Sequence, residues 1–149
     1  MTLSPPEPAA ALAAMRGSQE RLAAAADCPP ARHAAFAGLL ATLTAAPAAP
    51  LWGMFAVEFA VLAAIPLMVW WDKRRTGMFI NGYKAGATRP LVLALVAAQT
   101  AIFLAGAWLS KERGMWGAPL LLAPASFALG WFGSRAWMRT WRRAMGLPA

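Results

Sequence analysis

The stretch "MFAVEFAVLAAIPLMVWWDKRR", Met54 to Arg75, is almost unbroken hydrocarbon, carries a carboxylic acid at Glu58 and closes on a run of charge. Taken back to Leu51, its apolar part runs to Trp71 with Glu58 as the single charge. A helix rises about 1.5 Å per residue, so this segment is long enough to cross a hydrocarbon core of about 30 Å. Leu91 to Leu109 carries no charge at all and meets the same criterion. Both read as transmembrane helices.

Two further segments follow from the same reasoning. Trp116 to Phe132 is apolar and continues through Gly133 and Ser134 until Arg135 ends it. Ala34 to Ala49 is built mostly of Ala and Thr, with Phe36, Leu39, Leu40 and Leu43 as its strong apolar residues, so it partitions weakly by itself. The composition agrees with membrane residence. Of 149 residues 60% are hydrophobic, against about 45–50% in soluble domains. The start of the chain, Met1-Thr2-Leu3-Ser4-Pro5-Pro6-Glu7-Pro8, has neither the basic region nor the compact apolar region of a targeting peptide.

Charge decides between three spans and four. Lys and Arg number 14 against 6 Asp and Glu, but they gather at helix ends rather than in one patch, which speaks for a positive-inside topology and against a nucleic-acid partner. Lys73, Arg74, Arg75, Lys84 and Arg89 lie in one connection, and Arg135, Arg139, Arg142 and Arg143 near the C-terminus. If Ala34–Ala49 spans, Arg16, Arg21 and Arg32 join them on the cytoplasmic side, and only Lys111 and Arg113 remain outside. The expected architecture is therefore all-α: an integral membrane protein with an antiparallel four-helix transmembrane bundle and an N-terminal cytoplasmic helix. Residues 1–30 form an extended segment and an amphipathic helix, and 31–140 the bundle, with spans at about 33–49, 51–71, 90–110 and 116–137. A basic loop occupies 72–89 and a basic cytoplasmic tail 138–149. Both termini are expected in the cytoplasm of a bacterium, the protein lying in its inner membrane. Trp52, Trp108 and Trp116 mark the outer boundary and Trp70, Trp71 and Trp137 the inner one.

Glu58 lies about one third of the way along its span. An acid at the centre of such a helix costs about 2.5–3.5 kcal/mol on insertion scales, somewhat less off centre. Thr42 and Thr44 fall at its depth, and Gln99, Thr100 and Ser126 about one turn deeper. They supply hydrogen bonds either to a structural acid tying helices together or to a proton- or ion-handling site made of Glu58, Thr42, Gln99 and Thr100; the remaining alternative is an acid hydrated from the outside. Pro66 and Pro124 read as static bends in their helices. Gly130 and Ser134 form a small-xxx-small pair that permits close helix approach.

The loop "DKRRTGMFINGYKAGATRP" combines cations with turn-forming glycines at Gly77, Gly82 and Gly86. It lacks the strand-then-helix setting of a nucleotide-binding loop, so Lys73, Arg74, Arg75, Lys84 and Arg89 are expected to contact anionic lipid head groups or a partner. From Arg74 to Arg89 the pattern RRTG....GY..G.TR resembles that of a group of small uncharacterised bacterial membrane proteins. The resemblance implies four spans preceded by a helical tail, and it implies no activity.

Enzymatic chemistry finds few groups. His33 is the only histidine and Cys28 the only cysteine, so a metal site, a haem ligand and a histidine-activated nucleophile all lack residues, and no cofactor is expected. The leading expectation is a non-enzymatic scaffold or accessory protein in the bilayer, with anionic lipid, a membrane protein or a second copy as partner. The alternative is a small proton-coupled transporter using Glu58. The small multidrug transporters, to which the chain is similar only in having four short spans and one membrane glutamate, lend that alternative its plausibility.

Overall fold

A computed structural model of the chain describes residues 8–25, 29–76 and 86–144. Residues 1–7, 26–28, 77–85 and 145–149 lie outside the described residues, and with them Cys28, Lys84 and most of the glycine-containing loop. The described chain is all-α. Its elements are α1 (Pro8–Ala25), α2 (Pro30–Ala45), a 3-10 turn (Ala46–Ala48), α3 (Leu51–Thr76), α4 (Arg89–Lys111) and α5 (Ala118–Ala144).

Prolines set most of the boundaries. Pro29 is extended (ψ 150°) and precedes Pro30 at the first turn of α2, where a missing N–H goes unnoticed. At the other end Pro47 cannot donate to the carbonyl one turn back, and the helix tightens into the 3-10 turn after Ala45, earlier than the expected end near residue 49. Pro50 then holds Ala49 extended (φ −81°, ψ 158°), and α3 begins one residue later. Between α4 and α5, Gly114 takes a positive φ of 66°, and the Met115 N–H reaches back to the Leu109 carbonyl at 3.0 Å, closing a tight reversal.

Two helices outrun their expected spans. α3 has 26 residues and carries Lys73, Arg74 and Arg75 in its last turn, where cations complement the helix dipole. α5 has 27 residues and continues past Trp137 as one helix, so that Arg139, Arg142 and Arg143 are helical rather than part of a separate tail. Over Leu51–Arg75 of α3, and in α4, the chain is long and apolar enough to cross a membrane.

The helices α2, α4 and α5 form the packed core. α2 lies antiparallel against α5, as contacts of Thr44 with Ser126, Ala37 with Gly130 and His33 with Ser134 show. α4 lies antiparallel on another side of α5, with Gly106 at Pro119, Gln99 at Ser126 and Leu95 at Gly133. α3 packs on α2 and the 3-10 turn, while among the described residues α1 has no extensive packing against another element.

Glycine makes the central seam possible. A Cβ on Gly130 would lie 2.9 Å from Ala37 Cα, so the backbone of α2 comes close to α5 where α5 has no side chain. Gly130 and Ser134, the small pair seen in the sequence, both face α2.

What is buried and what is exposed are reversed from a water-soluble domain. Among the described residues the buried polar side chains are His33, Thr44, Gln99, Ser110, Ser126 and Ser134, whereas the buried hydrophobic ones are Ala37, Ala46, Val61, Ala118 and Met138. Large apolar side chains face outward, among them Trp52 (84% exposed), Leu121 (79%), Phe59 (76%) and Phe132 (67%). Only 6% of the most apolar window of α3 and 11% of that of α4 are buried within the protein. A core helix of a soluble protein would be mostly covered.

Candidate functional site: a closed polar cluster and a basic end

Three helices each send one polar side chain to a common point. The Thr44 hydroxyl of α2 donates to Ser126 Oγ at 2.9 Å, the Ser126 hydroxyl of α5 donates to Gln99 Oε1 at 2.7 Å, and Gln99 Nε2 of α4 donates to Thr44 Oγ1 at 3.0 Å. The ring closes on itself. Thr44 and Ser126 are fully buried and Gln99 is 8% exposed. The amide fixes the direction of the whole ring, because its nitrogen only donates and its oxygen only accepts. The second Gln99 N–H also points to the Leu40 carbonyl, at 3.4 Å. Chemically the cluster is a lock between three helices whose main bonding capacity is used internally.

Glu58 stands apart from that ring. It is half-buried on the face of α3 that carries Met54, Val57, Val61, Ala64, Met68 and Asp72, the face turned towards α2. Among the described residues no hydrogen bond or ion pair involves its carboxylate. Thr42 is exposed and its hydroxyl returns to the Gly38 carbonyl of its own helix at 2.8 Å. Thr100 is exposed as well. Of the four residues grouped in the sequence as an ion site, only Gln99 enters the buried ring, and it bonds to Thr44 and Ser126.

Towards one end of the helices the charges collect. The N-terminus of α2, the C-terminus of α3, the N-terminus of α4 and the C-terminus of α5 bring Arg32, Lys73, Arg74, Arg75, Arg89, Arg135, Arg139, Arg142 and Arg143 to the same end. Lys73, Arg74, Arg75 and Arg89 are exposed there; Lys84 lies outside the described residues. Asp72 is the acid of α2–α5 at this end, and Arg32 grips it as a fork, Nε donating at 3.0 and 2.9 Å and Nη2 at 2.7 Å. The pair is largely shielded, at 20% and 14% side-chain exposure, and fastens the end of α3 to the start of α2. Beside it His33 Nδ1 lies 2.7 Å from Ser134 Oγ, with the Trp131 ring edge-on at 6.1 Å.

Five tryptophans towards the two ends of the helices carry a cation on their face. Arg74 lies 4.1 Å over Trp70, Arg75 5.8 Å over Trp71 and Arg135 5.9 Å over Trp131, all four residues apart on one helix. At the opposite end Arg113 sits 4.7 Å over Trp108 and Lys111 5.2 Å over Trp116. A long cation folded over an indole is the arrangement that suits a boundary between apolar and aqueous media.

The two polar links at the basic end, Arg32 to Asp72 and His33 to Ser134, escaped the sequence reading. Their partners are 40 and 101 residues apart, and the only local signal is that Arg32 and His33 open a helix otherwise poor in polar groups. Comparison with protein-family models, with curated proteins and with solved structures gave no match, so the chemistry of these residues is what bears on function.

Proposed function

We propose that the protein is a non-enzymatic four-span protein of the bacterial cytoplasmic membrane, a scaffold or accessory protein whose basic cytoplasmic end contacts anionic lipid head groups or a protein partner. The observation that carries this reading is the reversal of burial. Polar side chains satisfy one another inside, and large apolar ones form the outer surface. In water that surface would be a standing penalty; against lipid tails it is the favoured one.

Four spans are supported by shared depth. Residues 119–134 of α5 are flanked by α4 on one side and by α2 on another. If α4 crosses the bilayer, its two neighbours occupy the same slab, and α3 is already long enough. The RRTG....GY..G.TR pattern, similar to that of small four-span bacterial proteins, supports the same count. The concentration of cations at one end supports a cytoplasmic location for it.

Alkaline carbonate extraction tests residence in the membrane, and reporters fused at each terminus and in the turn near Arg113 test topology. The expected result is retention in the pellet, cytoplasmic termini and an external turn. Release into the supernatant would end the membrane reading, and an external N-terminus would reduce the spans to three. The transporter alternative needs Glu58 to work without the buried ring, and substrate export unchanged in Glu58→Gln would remove it.

A further inference from the structure

The outward face of α5 changes chemistry along its length. At 100° per residue, Leu121, Ala125, Ala128, Phe132, Arg135, Arg139 and Arg143 fall within about 40° of one line along the helix. Gly130, which meets α2, lies on the opposite side. Leu121, Ala125, Phe132 and the three arginines are exposed, and Ala128 is half-buried. The stripe is thus apolar from Leu121 to Phe132 and cationic from Arg135 onward, with two alanines leaving a shallow trough between the leucine and the phenylalanine.

We infer that this face binds one anionic phospholipid lengthwise, its acyl chain along Leu121–Phe132 and its phosphate among Arg135, Arg139 and Arg143. The inference rests on membrane residence as proposed above and adds a site on α5, separate from the α3 and loop cations. Dimensions agree: Leu121 to Phe132 spans about 16 Å of helix, close to the roughly 15 Å of one hydrocarbon leaflet. Charge agrees as well. The sequence of α5 contains no acid, and the Asp72 carboxylate at the same end is already held by the Arg32 fork. Arg135, extended over Trp131, sits where the two chemistries meet. A second copy of the chain would bring the same cations against this stripe, and an acidic protein would leave its apolar half unmatched.

The test is intact-complex mass spectrometry on full-length protein reconstituted in mixed phosphatidylglycerol and phosphatidylcholine, after carbonate extraction has verified insertion of each variant. Wild type is expected to retain phosphatidylglycerol at least about tenfold more than phosphatidylcholine, because interfacial arginines attract anionic head groups. R135Q/R139Q/R143Q should lose that preference, whereas K111Q/R113Q, at the opposite end, should keep it. If the triple variant fails to insert, Arg139→Gln alone should still lower retention severalfold.

Undiminished retention in the inserted triple variant, or in Arg139→Gln where that variant stands in for it, overturns the inference. So does an equal loss in K111Q/R113Q, which would mean diffuse attraction. A dimer mass in place of lipid, abolished by the triple variant, would make the face a contact between copies. Release of wild type by carbonate is read first and refutes the membrane reading itself.

Discussion

Alanine at Gly130 is the smallest change that should loosen the core. Its Cβ would lie 2.9 Å from Ala37 Cα, 3.0 Å from Leu40 Cδ1 and 3.3 Å from Ala37 Cβ. Non-bonded carbons rest about 3.5–4.0 Å apart, so α2 and α5 must separate by about 0.6–1 Å. Leu40 can turn its tip aside, but the Ala37 backbone has nowhere to go within its helix. A gap of that size forfeits about a quarter to a half of each contact's dispersion energy along the seam. It also stretches the Thr44–Ser126 and His33–Ser134 bonds, which join the same two helices. Overpacking of this kind costs about 1–3 kcal/mol, and Gly130→Ala should fall near 2.

Two other glycines calibrate the number. Gly133→Ala brings its Cβ still closer to a neighbour, 2.6 Å from Leu95 Cδ2, but that atom ends a flexible side chain, and a strained rotamer costs about 0.5–1.5 kcal/mol. Gly106→Ala meets only ordinary contacts at 3.4–3.8 Å and should stay within about 0.5 kcal/mol of wild type. Reversible unfolding in mixed micelles, followed by tryptophan fluorescence, measures all three. A Gly130→Ala protein as stable as wild type, or a Gly133→Ala protein less stable than Gly130→Ala, would refute the account of the seam.

Ser126→Ala removes two bonds of the buried ring and strands Gln99 Oε1; at about 0.6–1.7 kcal/mol per interhelical bond it should cost about 1–3 kcal/mol. Replacing all three members together (T44V/Q99L/S126A) should cost less than the sum of the single changes in the same unfolding assay, because no polar group is left unpaired. Arg32→Gln should cost about 1–3 kcal/mol, as loss of bonds to a charged partner does, and should speed hydrogen exchange at the end of α3 more than in α5. Glu58→Gln should leave stability within about 0.5 kcal/mol of wild type, since no described bond holds the carboxylate.

The apolar runs made α3 and α4 legible, because a run of hydrocarbon is a property of the sequence in one dimension. The charge asymmetry likewise placed the basic helix ends together. The azimuth of side chains was harder. In helices apolar all round, no polar face announces which way Gln99 or Ser126 points, and depth alone grouped them with Glu58. Their true partners are each other, 27 residues apart in sequence, with Thr44 a further 55 residues before Gln99. The early end of α2 was written in Pro47 and Pro50, but a hydropathy reading passes over backbone valence. Gly130 and Ser134 carried the α2 contact in their spacing, without naming the helix they would meet.

The polar ring has a consequence for biogenesis. Thr44 leaves the ribosome 82 residues before Ser126, the acceptor of its hydroxyl. At about 5–20 residues per second that is a wait of about 4–16 s. During it α2, rich in alanine and poor in large apolar side chains, has α3 as its packed neighbour, and the Arg32–Asp72 fork joins the two. Pairing of α2 with α3 and completion of the core are thus separate events in time. If α2 spans as proposed, the chain must keep this alanine-rich helix in place until its last helix emerges, and an arrest of translation between Lys111 and Ser126 would leave it without its hydrogen-bond partner on α5.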